Sequence, residues 1–159
     1  MARAEKPRIR LTAKEMGLIA FFQAATGASV EDCIVDDKND RIIFVVKKGD
    51  VGLAVGRGGR KIKLLEKVIR KRLEVVEYCE DVREFLMSAL RPVKVQGIRL
   101  TERPDGRKIV VINVDPRDKA RAIGKNGRNA EKLRLLAKRY FDIDNVCLLY
   151  TSPSPRDRG

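Results

Sequence analysis

Val55-Gly56-Arg57-Gly58-Gly59-Arg60-Lys61 is the stretch that decides the fold, because it returns as Ile123-Gly124-Lys125-Asn126-Gly127-Arg128. Each copy sets an apolar residue before a Gly-x-x-Gly turn, with basic residues inside the turn or just after it. Two glycines three apart allow a tight turn and a close approach of backbone to ligand, since no Cβ intervenes. A helix opening just beyond offers free N–H groups and the positive end of its dipole to an anion. One such turn is a common accident, whereas two in the same setting carry information.

With Gly56 laid on Gly124 the offset is 68, and Asp50 meets Asp118, Ala54 meets Ala122 and Val55 meets Ile123. Further on, Leu65 meets Leu133, Val68 meets Leu136 and Val75 meets Ile143. Apolar positions matched on both sides of the turn describe one supersecondary unit used twice.

Upstream of the first turn, Thr12 and Glu15 form a capping box for a helix reaching about Ala25, with Leu18, Ile19, Phe22 and Ala25 facing inward and Gly27 as the stop. Ser29 to Val35 predicts a strand, Asp37-Lys38-Asn39-Asp40 a turn, and Arg41 to Lys47 a buried strand. Val51 to Val55 is a single helical turn before the glycines. Beyond them a helix is expected from Arg60 to Leu73, with Ile62, Leu65, Ile69 and Leu73 on one face, then a strand over Glu74 to Tyr78.

The second unit repeats the order. A helix runs from Asp81 to Leu90, ended by Pro92. Strands follow over Val93 to Leu100 and Lys108 to Val114, joined by Arg103-Pro104-Asp105-Gly106. Pro116 suits the first turn of a short helix before Gly124, a longer helix covers Arg128 to Tyr140, and the last strand is about Asp142 to Leu148.

The 159 residues leave room for two small domains, each expected to lean on its neighbour for a core. Thirty-five basic residues against 22 acidic ones give a net charge of +13, which points to nucleic acid or another anionic surface. No apolar run approaches a membrane span, and the first residues lack the apolar core of a signal peptide, so no membrane association and a cytoplasmic location are expected. Cys33, Cys79 and Cys147 stand far apart and read as thiols in a reducing compartment. The chain has no histidine, which excludes imidazole catalysis and imidazole metal ligation.

The repeated order of helix, strand, strand, short helix, Gly-x-x-Gly, helix and strand resembles a pair of type II KH domains over roughly residues 11–148. More narrowly it is similar to the archaeal NusA-like transcription factors. The resemblance implies an α+β fold of two tandem type II KH domains, each a three-stranded mixed sheet covered by helices. A basic arm is expected over residues 1–10, the first domain over 11–79 and the second over 80–148. The Ser/Pro/Arg stretch closing 149–159 is expected to be disordered and resembles a translated vector remnant.

The resemblance further implies that each loop clamps the backbone of about four unpaired nucleotides beside an apolar groove for the bases. Gly56 and Gly124 then allow the turn, Gly59 and Gly127 the approach of phosphate, and Arg57 and Lys125 offer cations at the exposed second position. Gly58 removes a side chain that the second loop keeps as Asn126. Arg60, Lys61, Lys63, Lys119, Arg121 and Arg128 complete the expected RNA-binding set, while Lys67, Arg70, Lys71 and Lys138 are expected only to broaden the field. Residues 57–72 hold eight cations against Glu66, and residues 119–139 hold eight against Glu131. A solvated helix face is the ordinary explanation of such runs, but two of one sign around two anion-shaped loops favour binding.

Phe21, Phe22, Phe44, Phe85 and Phe141 fall where cores or helices are expected, so no stacking platform is foreseen and modest affinity per domain follows. Two domains holding one strand would then gain by avidity. The loops miss the P-loop pattern because neither continues into Lys-Ser or Lys-Thr. They miss the dinucleotide pattern because Lys61 replaces a needed glycine. Asp36, Asp37 and Asp40 read as turn formers rather than metal ligands. No enzyme, cofactor, metal or small-molecule substrate is therefore expected. The partners implied are single-stranded RNA and RNA polymerase, in elongation, termination or antitermination on nascent transcripts. Ribosome-associated or RNA-processing work, or docking on polymerase without RNA, are the alternatives.

Overall fold

The computed structural model describes residues 11–91 and 93–150, which divide between Cys79 and Glu80 into two compact units. The amino-terminal arm, Pro92 and the stretch from Thr151 lie outside the described residues. The first unit comprises α1 (Ala13–Thr26), β1 (Val30–Asp36), β2 (Arg41–Val46), α2 (Val51–Val55), α3 (Arg60–Ile69) and β3 (Arg72–Glu77). The second comprises α4 (Val82–Leu90), β4 (Val95–Glu102), β5 (Lys108–Val114), α5 (Lys119–Ile123), α6 (Arg128–Phe141) and β6 (Asn145–Tyr150). In each three-stranded sheet the middle strand runs antiparallel to the first and parallel to the third. A parallel pair needs a long crossover, and here the crossover is a helix, a glycine elbow and a second helix.

Local chemistry accounts for the helix ends. Thr12 Oγ1 accepts from the Glu15 N–H at 3.2 Å, and the Glu15 carboxylate accepts from the Thr12 N–H at 2.8 Å. Gly27, at φ 81°, stops α1. Phe22 turns inward and stacks on Phe44 of β2, ring centroids 4.0 Å apart, among Ile42, Val46, Ala54 and Leu65. Ala25, expected inward, is exposed; the fourth residue beyond Phe22 is buried instead, and Thr26 donates its hydroxyl to the Phe22 carbonyl at 2.8 Å. In the second unit the Asp81 carboxylate accepts from the Glu84 N–H at 3.3 Å. Phe85 meets Tyr140 and Phe141 edge-on, at 5.1 and 5.7 Å.

The repeat is closer in its first two-thirds than at its end. Val46 opposite Val30 and Val114 opposite Val95 both sit at a bulge that shifts the register of the first strand. Beyond the elbows the copies part. Expected to reach Leu73, α3 ends at Ile69, because Arg70 turns left-handed at φ 64° and Leu73 becomes a β3 residue opposite Ile42. The Glu66 carboxylate accepts from the Leu73 N–H at 2.9 Å and fixes that turn. α6 has 14 residues against 10 in α3, so the strand pair Ile42–Leu73 is matched by Val110–Val146, an offset of 68 on one side and 73 on the other. Val68 is accordingly 60% exposed where Leu136 is buried, and Val75 lies in a strand where Ile143 lies in the connection between α6 and β6. β6 also runs past the expected boundary, with Leu149 and Tyr150 beside Asn113 and Val114.

Arg41 opens the middle strand yet is fully buried, its guanidinium 2.8 Å from the Asp36 carboxylate and 3.2 Å from that of Glu74. Burial alone would push the Asp36 carboxyl up. Hydrogen bonds from Asn39 and Arg41, with the Arg41 charge, outweigh it and hold the group below its ordinary value. Asp37 and Asp40 reach Lys71 at 3.6 and 3.3 Å, so each acid of this turn has a basic partner.

Candidate nucleic-acid interface

α2 and α5 each close by a bond from the elbow's first glycine, Gly56 N–H to the Gly52 carbonyl and Gly124 N–H to the Ala120 carbonyl, both 2.9 Å. The chain then turns identically. Gly56 and Gly124 have φ/ψ of 79°/168° and 78°/165°, Gly58 and Asn126 of 63°/20° and 56°/27°, Gly59 and Gly127 of 77°/14° and 75°/16°. The Gly59 N–H donates to the Gly56 carbonyl at 3.1 Å, and Gly127 to Gly124 at 3.0 Å. No side chain caps the start of α3 or α6, which leaves their first-turn amides unshielded by a cap.

The two glycines of an elbow serve different needs. A Cβ on Gly56 would stand 3.0 Å from the Lys61 backbone nitrogen, and one on Gly124 2.8 Å from that of Asn129. Gly59 and Gly127 have room and need only the left-handed backbone. The middle position is left-handed in both copies, which gives Gly58 and Asn126 one shared reason: they are residue types that adopt it at low cost.

The cations fall into groups. Arg57 and Lys125 are exposed at the tips, with Arg60, Lys63 and Arg121 exposed beside them, and none of the five has an ion-pair partner among the described residues. Lys61 is differently placed. Its ammonium donates to the Thr26 carbonyl at 3.2 Å and the Leu53 carbonyl at 3.3 Å, tying α3 to the end of α1 and the middle of α2. Asn129, missed in the sequence, is its counterpart and donates to the Arg121 carbonyl at 2.6 Å. A pairing of Lys with Asn at one offset is a signal that only the geometry makes readable. Arg128 bends back to the Lys125 carbonyl at 3.2 Å, and Lys119 lies over the Tyr150 ring, 5.3 Å from its centroid. Burial pushes the Tyr150 hydroxyl above 10.0, with Arg134 acting against it, so the ring faces Lys119 as a neutral phenol. Lys132, counted among the eight cations of the second run, is buried.

Beside the second elbow lies a depression of about 530 Å³, with Leu90, Val93 and Ala120 as apolar lining, Arg91, Arg121 and Lys125 as cations, and Gly124 and Asn129 on its wall. An apolar recess rimmed by positive charge suits a base attached to a phosphate.

Two mixed sheets, each crossed over through a Gly-x-x-Gly elbow between helices, define a tandem KH-domain protein. The KH domain family matches residues 18–99 and the NusA-like second KH domain matches residues 82–146, and the chain belongs to the NusA-like family. A protein of Halobacterium salinarum called probable transcription termination protein NusA is 36% identical over 140 residues, spanning 88% of this chain and 98% of that one. A namesake in Methanocaldococcus jannaschii is 30% identical over 139 residues, spanning 87% and 74%. The crystal structure of APE1850 superposes with a TM-score of 0.78 at 41% identity, covering 87% of this chain and 100% of the other. Among the described residues no helix is long and apolar enough to cross a membrane.

Proposed function

We propose that this protein binds single-stranded RNA at both elbows and acts on nascent transcripts in transcription elongation, termination or antitermination, with RNA polymerase as its protein partner; termination is the role that the names of its relatives print. The observation that carries this is the identity of the two elbows in backbone torsion despite Gly58 in one and Asn126 in the other, each presenting an exposed cation at the tip. An elbow of this shape brings amides and charge to a sugar-phosphate chain without a side chain in the way. The recess beside Gly124 offers the second domain a place for a base. Crosslinking of bound RNA in cells, followed by sequencing, tests the proposal. Reads spread along nascent messages and co-purifying with polymerase are expected; reads confined to ribosomal RNA, or none, would refute it.

A further inference from the structure

Away from the elbow, at the far end of α3, lies a second basic feature that a phosphate-binding loop does not require. A depression of about 610 Å³ is lined by Lys63, Lys67, Arg70, Lys71 and Arg72, with Asp40 and Glu66 as its acids. Both acids are engaged, Asp40 with Lys71 at 3.3 Å and Glu66 with the Leu73 N–H at 2.9 Å. Lys63, Lys67, Arg70 and Arg72 have no ion-pair partner among the described residues. We propose that this depression is a second phosphate site for the RNA strand held by the first elbow, so that the strand runs along α3. This rests on RNA passing the elbow at all.

Three observations favour it. Lys63 joins the two places: its Cε lies 4.0 Å from where a Cβ on Gly59 would stand, and it also lines the depression. The ten residues of α3 separate the elbow from the far wall by about 15 Å, a span that a few extended nucleotides cover. Cations at a helix carboxy-terminus commonly answer the dipole, but Arg70 sits at φ 64°, where glycine or asparagine would be cheaper. The end of α6 also closes left-handed, at Asp142 with φ 54°, and differs in its cation, since Lys138 there is held by Asp142 and Asp144, each at 3.5 Å. An acidic protein segment is the weaker occupant, because no apolar side chain lines the depression to anchor one.

The test uses the full chain with oligouridylates of about four and about twelve nucleotides. The variant combines Lys67→Gln, Arg70→Gly and Arg72→Gln. It should bind the longer oligomer about tenfold more weakly and the shorter one as wild type does. For the longer oligomer the slope of log affinity against log salt should become shallower by about 0.7 for each phosphate no longer neutralised. Arg70→Gly alone relieves the backbone, so it should lower affinity for the longer oligomer while the melting temperature holds or rises. Unchanged affinity for the longer oligomer, with Gly58→Asp still weakening both, would overturn this site and leave the elbows standing. Equal loss on both lengths would also overturn it, by making these cations a general field. If Gly58→Asp and Asn126→Asp also leave binding untouched, the RNA-binding proposal itself fails.

Discussion

At the scale of single residues the elbow glycines are not equivalent. Gly56→Ala and Gly124→Ala add a Cβ within 3.0 and 2.8 Å of a backbone nitrogen, on a left-handed backbone. Each should cost more than the roughly 1–3 kcal/mol of backbone strain alone. Gly59→Ala and Gly127→Ala meet no such wall and should cost only the strain. Urea unfolding of the four variants measures the difference, and equal losses would contradict it. Gly58→Asn should lie within about 0.5 kcal/mol of wild type, because Asn126 already occupies that conformation. Away from the elbow, Asp36→Ala leaves the buried Arg41 with Glu74 alone and should cost about 3 kcal/mol near neutral pH. The Asp36 carboxyl is depressed in the folded protein, so its contribution is fully present above the ordinary value of 3.8 and is lost as pH falls through the folded value. Wild type should therefore lose stability more steeply on acidification than Asp36→Ala, which pH-dependent unfolding checks. The glycines and the capping box are readable in the sequence because their spacing is local. The burial of Arg41 is not, because its partners come from the end of β1 and from β3.

Among elements, the struts that hold the elbows are the main feature the sequence does not show. Lys61 reads there as a phosphate ligand; two of its three donors instead meet carbonyls at the end of α1 and the middle of α2. Lys61→Met should cost about 1 kcal/mol and speed amide exchange across Leu53 to Gly59. If it weakens RNA binding only as much as removal of a remote cation, the strut has no positioning role. The same scale explains why the repeat fades after Leu65. A helical period and a strand starting point compete for Leu73, four residues beyond Ile69, and only the parallel pairing with Ile42 decides between them. The central strands are readable because β2 and β5 are nearly continuous runs of β-branched residues buried on both faces.

For the molecule as a whole, a net charge of +13 ensures attraction to any polyanion, so charge by itself distinguishes little. Sites distinguish more. Two domains binding one strand predict affinity that keeps rising with oligonucleotide length beyond the length filling one domain. A plateau at that length would mean independent domains. The fold and both elbows are legible at this scale because one unit is written twice. The depression at the end of α3 is not, because it needs the left-handed turn at Arg70 to bring cations of helix and strand together. The measurement that bears most directly on the protein's role is RNA affinity at several salt concentrations for wild type, Gly58→Asp, Asn126→Asp and the double variant. Both positions face solvent and adopt a backbone that Asp tolerates, so the fold should persist. Each single variant should bind several-fold more weakly, and the double variant should lose specific binding while its unfolding curve stays in place. Wild-type affinity in the double variant would contradict the use of these elbows on RNA.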